Sequence, residues 1–201
     1  MKILVLYYSL TGNVYRMAKL VAEGVRQGGT EAVIKTVPEL MPEELIRESE
    51  LMMAARKEQA EVPISTVEEL RDYDGIIVGT PTRFGNMAAQ MRNFWDQTGA
   101  LWVQGSLIGK PAGVFCSTAT LHGGQETTLI SSMMTLFHQG MIMVGVPYSE
   151  QALITTNAGG TPYGPSHVSG QPPTNPITDQ EAEICRALGK RVAEIAAKLA
   201  A

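Results

Sequence analysis

The strongest constraint on the fold is an alternation between short apolar runs and longer stretches with helical periodicity. Residues Ile3 to Tyr7 form an almost continuous apolar run, which is typical of a strand buried on both faces of a parallel sheet. Comparable runs follow at residues 32–34, 75–79, 112–116 and 141–144. Elsewhere, apolar residues recur at spacings of three and four, which is the period of an amphipathic helix. The chain is therefore expected to alternate strands with helices.

The order of these patterns predicts an α/β fold. It reads strand, helix, strand, insertion, strand, helix, strand, helix, strand, helix, which indicates a three-layer α/β/α sandwich with about five parallel strands. A chain of 201 residues is expected to form this as a single domain. The acidic insertion at about 38–64 is interpreted as a solvated helical excursion or a flexible segment, with a subunit contact or a lid over the site as alternatives. The stretch at about 149–177, rich in Gly, Pro, Ser and Thr, is interpreted as a long loop that is functional or becomes ordered on assembly.

Local motifs predict where some of the elements begin and end. The first helical pattern stops at Gly28-Gly29, which is typical of a helix C-cap. Ser65-x-x-Glu68 has the pattern of a capping box and predicts a short helix through Leu70. Thr178-x-x-Glu181 has the same pattern and predicts the start of the last helix. Residues 97–110 are expected to form a loop.

Composition and charge exclude several classes of protein. The net charge of −4 argues against a nucleic-acid-binding protein, and the chain lacks an apolar stretch of membrane-spanning length. Cys116 and Cys185 form no disulfide framework, which fits the reducing cytoplasm, and the first residues are too short an apolar run for a signal peptide. Histidines and cysteines show no metal-ligand spacing, so no metal site is expected. Cys116 is interpreted as a core residue and not as a nucleophile.

Polar loops follow three of the predicted strands, at residues 9–13, 80–86 and 117–124. Ligands of open α/β sheets bind at the carboxyl ends of the strands, so these loops are expected to meet. In the first loop, polar side chains, a glycine and the N-terminus of the following helix together suit a single phosphate. For residues 9–13, the alternative is a helix start that binds no ligand. For residues 80–86, the alternative is an ordinary connection between a strand and a helix. The chain lacks a Gly-x-Gly-x-x-Gly motif and a Walker loop, which disfavours a dinucleotide bound in the usual way.

One phosphate site beside two loops around a flat space favours flavin mononucleotide (FMN). Backbone N–H groups of residues 82–86 and 118–123 are the candidates for hydrogen bonds to the polar edges of the flavin ring. Phe84 and Trp102 could flank the ring or a substrate stacked on it, although ordinary packing explains Trp102 equally well. Arg83 is expected either to contact the polar edge of the flavin ring or to stabilise the conformation of its own loop.

Seven motifs spread over nearly the whole chain resemble the WrbA family. They are Ser9-Leu10-Thr11-Gly12-Asn13, Pro81-Thr82-Arg83-Phe84-Gly85-Asn86-Met87, Asp96-Gln97-Thr98-Gly99, Leu101-Trp102, Gly123-Gly124-Gln125-Glu126-Thr127, His138-Gln139-Gly140-Met141 and Gly159-Gly160-Thr161-Pro162-Tyr163-Gly164. The resemblance implies a flavodoxin-like fold with strand order 2-1-3-4-5 and FMN as cofactor. It also implies a type IV NAD(P)H:quinone oxidoreductase in a homotetramer, with NADH or NADPH and a quinone as partners that alternate at one flavin site.

The resemblance and the loop analysis together select the site residues. The candidate FMN-binding residues are Ser9, Leu10, Thr11, Gly12, Asn13, Val14, Thr82, Arg83, Phe84, Gly85, Asn86, Ser117, Thr118, Ala119, Thr120, Leu121, His122 and His138. The family pattern assigns a nicotinamide contact to Thr11, a substrate contact to Trp102 and a contact with the flavin of a neighbouring subunit to His138. Thr11 stands where other members often carry a tyrosine, and the third loop has one extra residue at Leu121-His122.

The chemistry needs no protein nucleophile, because the flavin itself carries it. The rival interpretation is a flavodoxin-type electron carrier that docks a protein redox partner. A third is an interaction protein that holds FMN only as a structural element. The sequence does not distinguish NADH from NADPH, and His167 receives no role.

Overall fold

The parallel sheet is built from the apolar runs of the sequence, in a computed structural model that describes residues 1–200. Its strands are β1 (Lys2–Tyr7), β2 (Glu31–Thr36), β3 (Gly75–Arg83), β4 (Asn86–Met87), β5 (Pro111–Thr118), β6 (Ile142–Met143) and β7 (Ser166–Val168). Across the sheet the order is β2-β1-β3-β5-β6, with parallel neighbours. This confirms the predicted order, because β4 is a short antiparallel partner of β3 that the prediction did not count.

Helices cover both faces of this sheet, as predicted. They are α1 (Asn13–Gln27), α2 (Glu43–Arg47), α3 (Glu50–Glu58), α4 (Ala89–Asp96), α5 (Gly99–Val103), α6 (Gln125–His138), α7 (Ala152–Thr155) and α8 (Asp179–Leu199). Alternate residues of β1 enter different cores: Ile3 and Val5 pack with α1 and α8, while Leu4 and Leu6 pack with α4 and α6. Within the described residues 1–200, no helix is long and apolar enough to cross a membrane.

The last position in the sheet is divided between two short segments. β6 pairs with the beginning of β5, and β7 pairs with its end. The predicted strand at 141–144 was therefore too long, and the predicted loop at 149–177 contains both α7 and β7. After β6 the amide of Val144 still bonds the carbonyl of Ala112 on β5, at 2.8 Å, and the amide of Val146 then bonds the carbonyl of Pro162 in the excursion, residues 149–177, at 2.9 Å. This excursion returns the chain to the carboxyl end of β5.

Two local predictions were wrong. The segment after Ser65 is a 3-10 helix, Glu68–Asp72, and Ser65 does not cap it, because its hydroxyl donates to Glu69 Oε1 at 2.8 Å. Residues 97–110 contain α5, in which the amide of Trp102 bonds the carbonyl of Thr98 at 3.0 Å. A helix of one turn is too short to show a period in sequence. The capping box of Thr178 and Glu181 at the start of α8 is confirmed.

The insertion is helical and reaches the first polar loop. Glu58, at the end of α3, pairs with Arg16 at 2.8 Å and with Lys19 at 3.3 Å, both on α1. Next to it, Gln59 Nε2 donates to the carbonyl of Ser9 at 3.2 Å. The insertion thus supports the first loop from outside the sheet, a contact that the sequence did not predict.

Candidate cofactor-binding site

Three loops meet at the carboxyl edge of the sheet and enclose a cavity of about 200 Å³. The first loop contributes four lining residues and the two others three each: Leu10, Thr11, Asn13 and Val14; Pro81, Thr82 and Arg83; Ser117, Thr118 and Ala119. Ser169 and Pro173 complete the lining. The strands β1, β3 and β5 are adjacent and parallel, so the residues that follow them have to emerge side by side.

The first loop has the geometry of an anion site. Gly12 is the N-cap of α1 with φ of +87°, and among residues 1–200 no side chain caps this helix end. The hydroxyl of Ser9 is buried and has no hydrogen-bond partner anywhere in the described chain, and Ser9 lines a neighbouring cavity and not the cavity of the three loops. Free amides at a helix N-terminus carry partial positive charge and bind phosphate groups. An anion here would take up donors that the folded chain itself leaves unused.

The second loop is a tight hairpin, which was not predicted from the sequence. β3 continues to Arg83, and the chain turns at Phe84 and Gly85 into β4, with Thr82 opposite Met87. Phe84 has φ of +53°, and its side chain is fully exposed; it follows Arg83 but is not among the residues that line the cavity. A left-handed conformation in a residue other than glycine costs about 1–3 kcal/mol, and such residues cluster at ligand-binding sites.

Arg83 lies on this hairpin with its side chain exposed. Its Nη1 donates to the carbonyl of Thr82 at 2.8 Å. The hydroxyl of Thr82 in turn bonds that of Thr128 on α6, at 2.7 Å. These bonds tie the hairpin to itself and to α6, and Arg83 is one of the residues that line the cavity.

The third loop divides into a lining part and an exposed part. Ser117 and Thr118 are buried, and they line the cavity together with Ala119. Thr120, Leu121 and His122 are exposed and do not line it within the single chain. An FMN contact of these three residues stays a prediction.

Sequence reasoning missed the fourth wall of the cavity, which comes from the long excursion. The amide and the hydroxyl of Ser169 both donate to the carbonyl of Thr118, at 2.8 and 3.0 Å. The carbonyl of Pro173 accepts a bond of 3.0 Å from Asn13 Nδ2 in the first loop. Loop composition marked this segment as functional but carried no signal for which of its residues approach the cavity.

His138 and Trp102 lie apart from this cavity. They line a separate groove of about 280 Å³ together with Arg92, Trp95 and Thr98. Trp102 is 58% exposed and His138 is also exposed. The single chain therefore brings these two residues together but does not bring them to the three loops.

Two groups near the site stay protonated. The hydroxyl of Tyr8 donates to both carboxylate oxygens of Glu39, at 2.9 and 3.1 Å, and burial together with this carboxylate raises the pKa of Tyr8 well above its usual value. Burial likewise raises the pKa of the Cys116 thiol. Because only a thiolate is a strong nucleophile, Cys116 acts as the core residue that the sequence predicted.

The fold and the cavity define a flavodoxin-like protein with a nucleotide-type site. Among solved structures, the WrbA-like flavodoxin of Agrobacterium tumefaciens superposes with a TM-score of 0.64 and 24% identity, covering 98% of each chain. Flavodoxin 1 of Bacillus cereus superposes with a TM-score of 0.60 and 19% identity over 96% of this chain and 98% of that chain. At these identities the similarity concerns the fold.

The family model described as NADPH-dependent FMN reductase matches residues 1–152, and the chain belongs to this family. It is 50% identical to a protein of Gluconacetobacter diazotrophicus over 100% of this chain and 99% of that relative. It is 52% identical to a protein of Trichlorobacter lovleyi with the same coverage, and both relatives are named NAD(P)H dehydrogenase (quinone). These comparisons confirm the family resemblance that the motifs indicated.

Proposed function

We propose that this protein is an FMN-dependent NAD(P)H:quinone oxidoreductase. In this reaction NADH or NADPH and a quinone bind in turn at one flavin site, and the quinone is reduced by two electrons to a hydroquinone. The observation that carries the proposal is the cavity at which a phosphate-type helix N-terminus meets two further loops. Full-length relatives at about half identity, both named for this activity, support it.

The chain offers a donor set that fits FMN. The phosphate would be held by the first amides of α1 and by the hydroxyl of Ser9, which has no hydrogen-bond partner in the described part of the chain. The hairpin at Thr82–Phe84 and the residues 117–119 would border the ring. When bound, FMN supplies the hydride- and electron-transfer chemistry. The chain contributes fixed hydrogen-bond donors. Because the pKa of Tyr8 is raised, its hydroxyl stays neutral and adds no negative charge beside the first loop.

Thr11 and Arg83 line the same cavity and are the proposed contacts for the nicotinamide and for the polar edge of the ring. The short side chain of Thr11 leaves more room than the tyrosine that the family often carries there. Trp102 and His138 act from the separate groove, so we assign them to the flavin site of a neighbouring subunit in a homotetramer. This assignment explains why two exposed site residues of one chain lie together and away from its cavity.

The direct test follows the oxidation of NADH and of NADPH by the FMN-loaded protein, with and without benzoquinone. We expect the oxidation of at least one of the two nucleotides to depend on the quinone. The comparison of NADH with NADPH then shows which of them the protein prefers. A folded, FMN-loaded protein that oxidises neither nucleotide in the presence of the quinone would overturn the proposal. A stable one-electron semiquinone on dithionite titration would then indicate an electron carrier, and its absence would favour a protein that holds FMN only as a structural element.

Complementation between two inactive variants tests the assignment of Trp102. A Gly12→Ala subunit is expected to lose FMN, and a Trp102→Ala subunit to bind FMN but reduce quinone poorly. If Trp102 acts on a neighbour, co-expressed mixtures regain activity above the sum of the parents, because a neighbour supplies the intact tryptophan. Val103→Ala, a change at an adjacent exposed residue, serves as the matched control and is expected to keep full activity. Mixtures without any regained activity would contradict the assignment.

A further inference from the structure

A buried, hydrogen-bonded histidine–glutamate pair lies outside the three loops, between β7 and α8. His167 and Glu181 are 0% and 1% exposed, with His167 Nδ1 3.0 Å from Glu181 Oε2. The carboxylate accepts four bonds in all, from His167 and from the amides of Gly159 (2.9 Å), Val168 (3.1 Å) and Thr178 (2.8 Å). One side chain therefore joins the excursion, the strand β7 and the start of α8.

The direction of these bonds follows from the charge of Glu181. Burial alone raises the pKa of this carboxyl, but the bonds from His167 and from the Thr178 and Val168 amides outweigh it and hold the pKa below its usual value. An ionised carboxylate only accepts hydrogen bonds, so His167 Nδ1 carries the proton. His167 Nε2 is buried without a partner among residues 1–200.

The pair anchors the segment that closes the cavity. Residues 166–175, which we call the strap, pair with β5 and then pass between the third loop and the first. Ser169 bonds Thr118, the amide of Gly170 bonds the carbonyl of Ala119 at 3.1 Å, and Pro173 bonds Asn13. His167 lies two residues before Ser169, so a displacement at the pair is transmitted directly to the cavity wall.

Stability alone is a weak explanation for this pair. Replacing both partners of a buried hydrogen bond with apolar groups of the same shape is often nearly neutral or stabilising, because burial removes both polar groups from water. What the pair does provide is a defined position for the strap, since four donors of three different segments converge on one carboxylate.

We propose that the strap is a fourth cofactor-binding element and that His167 and Glu181 are its positioning residues. The strap holds Ser169 and Pro173 against the cofactor, and the pair sets how closely it approaches the first and third loops. This inference depends on the proposed FMN site, but not on the reaction that takes place there.

The test measures FMN affinity by titrating the FMN-free protein and following the quenching of flavin fluorescence. His167→Ala is expected to weaken FMN binding by about tenfold, the scale on which outer partners of ligand-binding groups act. His167→Gln, whose amide can donate to Glu181, is expected to recover much of the affinity. Lys190→Gly is the control, because glycine at this exposed position of α8 costs about 1 kcal/mol of helix stability and does not touch His167 or Glu181. Its FMN affinity is expected to equal that of the unmodified protein.

A merely structural role would give a different result. In that case His167→Ala and Lys190→Gly would both lower the melting temperature without changing FMN affinity, and the proposal would be wrong. If His167→Ala fails to fold, Ser169→Ala decides: weaker FMN binding at an unchanged melting temperature supports the strap, and unchanged binding overturns it. This test measures FMN affinity and melting temperature and not quinone turnover. Its result is therefore valid even if the proposed reaction is not observed.

Discussion

Replacing Gly12 with alanine is expected to lower the affinity for FMN by at least about a hundredfold, which corresponds to about 2.7 kcal/mol. Gly12 has φ of +87°, and a Cβ there would lie 3.1 Å from Arg16 Nη2. The guanidinium can move aside, so the backbone conformation decides: a left-handed residue with a side chain costs about 1–2 kcal/mol. If the backbone at residue 12 leaves the left-handed conformation, the first amides of α1 turn away from the phosphate. Each hydrogen bond to a charged group contributes about 1.5–3 kcal/mol, so the loss of these bonds lowers the affinity.

The matched control is Gly29→Ala at the other end of α1. Gly29 has a similar φ of +80°, and a Cβ there would have no neighbour within 4 Å among the described residues. It therefore introduces the same backbone strain without touching the first loop. Titration of both FMN-free variants checks the prediction. Equal affinity of Gly12→Ala and Gly29→Ala would show that the first loop is not the phosphate site.

Replacing Gly189 with alanine is expected to reduce the free energy of unfolding by about 3 kcal/mol, at the upper end of the range for overpacked interiors. A Cβ on Gly189 of α8 would lie 2.0 Å from the carbonyl oxygen of Val21 on α1. From the other side, a Cβ on Gly24 would lie 2.0 Å from the carbonyl oxygen of Arg186. Both obstacles are backbone atoms of helices and cannot rotate away, so α1 and α8 have to separate and lose buried contact.

Urea unfolding measures this loss, and Gly99→Ala provides the comparison. A Cβ on Gly99, at the start of α5, would meet no atom within 4 Å in the described part of the chain. Alanine is favoured over glycine in helices by about 0.5–1 kcal/mol, so this variant should be as stable as the unmodified protein or slightly more so. An unfolding midpoint of Gly189→Ala that matches that of Gly99→Ala would contradict the close helix contact.

Elements defined by local pattern were predictable from the sequence. The run from Ile3 to Tyr7 is buried on both faces, and the capping box at Thr178 starts α8 as expected. Contacts between distant segments were not predictable. Glu58 contacts Arg16, which is 42 residues away in sequence, and Asn13 contacts Pro173, which is 160 residues away. The residues around each partner show no pattern that would indicate the contact.

By itself the sequence determined the alternation of strands and helices and the polar loop before the first helix. Both follow from side-chain periodicity and from the backbone needs of a helix start, which are properties of neighbouring residues. The order of the strands in the sheet was expected only from the family resemblance. Only the tertiary structure decided that the second loop is a hairpin, that the strap closes the cavity, and that Trp102 lies in a different groove. These depend on where the chain returns after long excursions, because packing and hydrogen bonding among distant segments select that path.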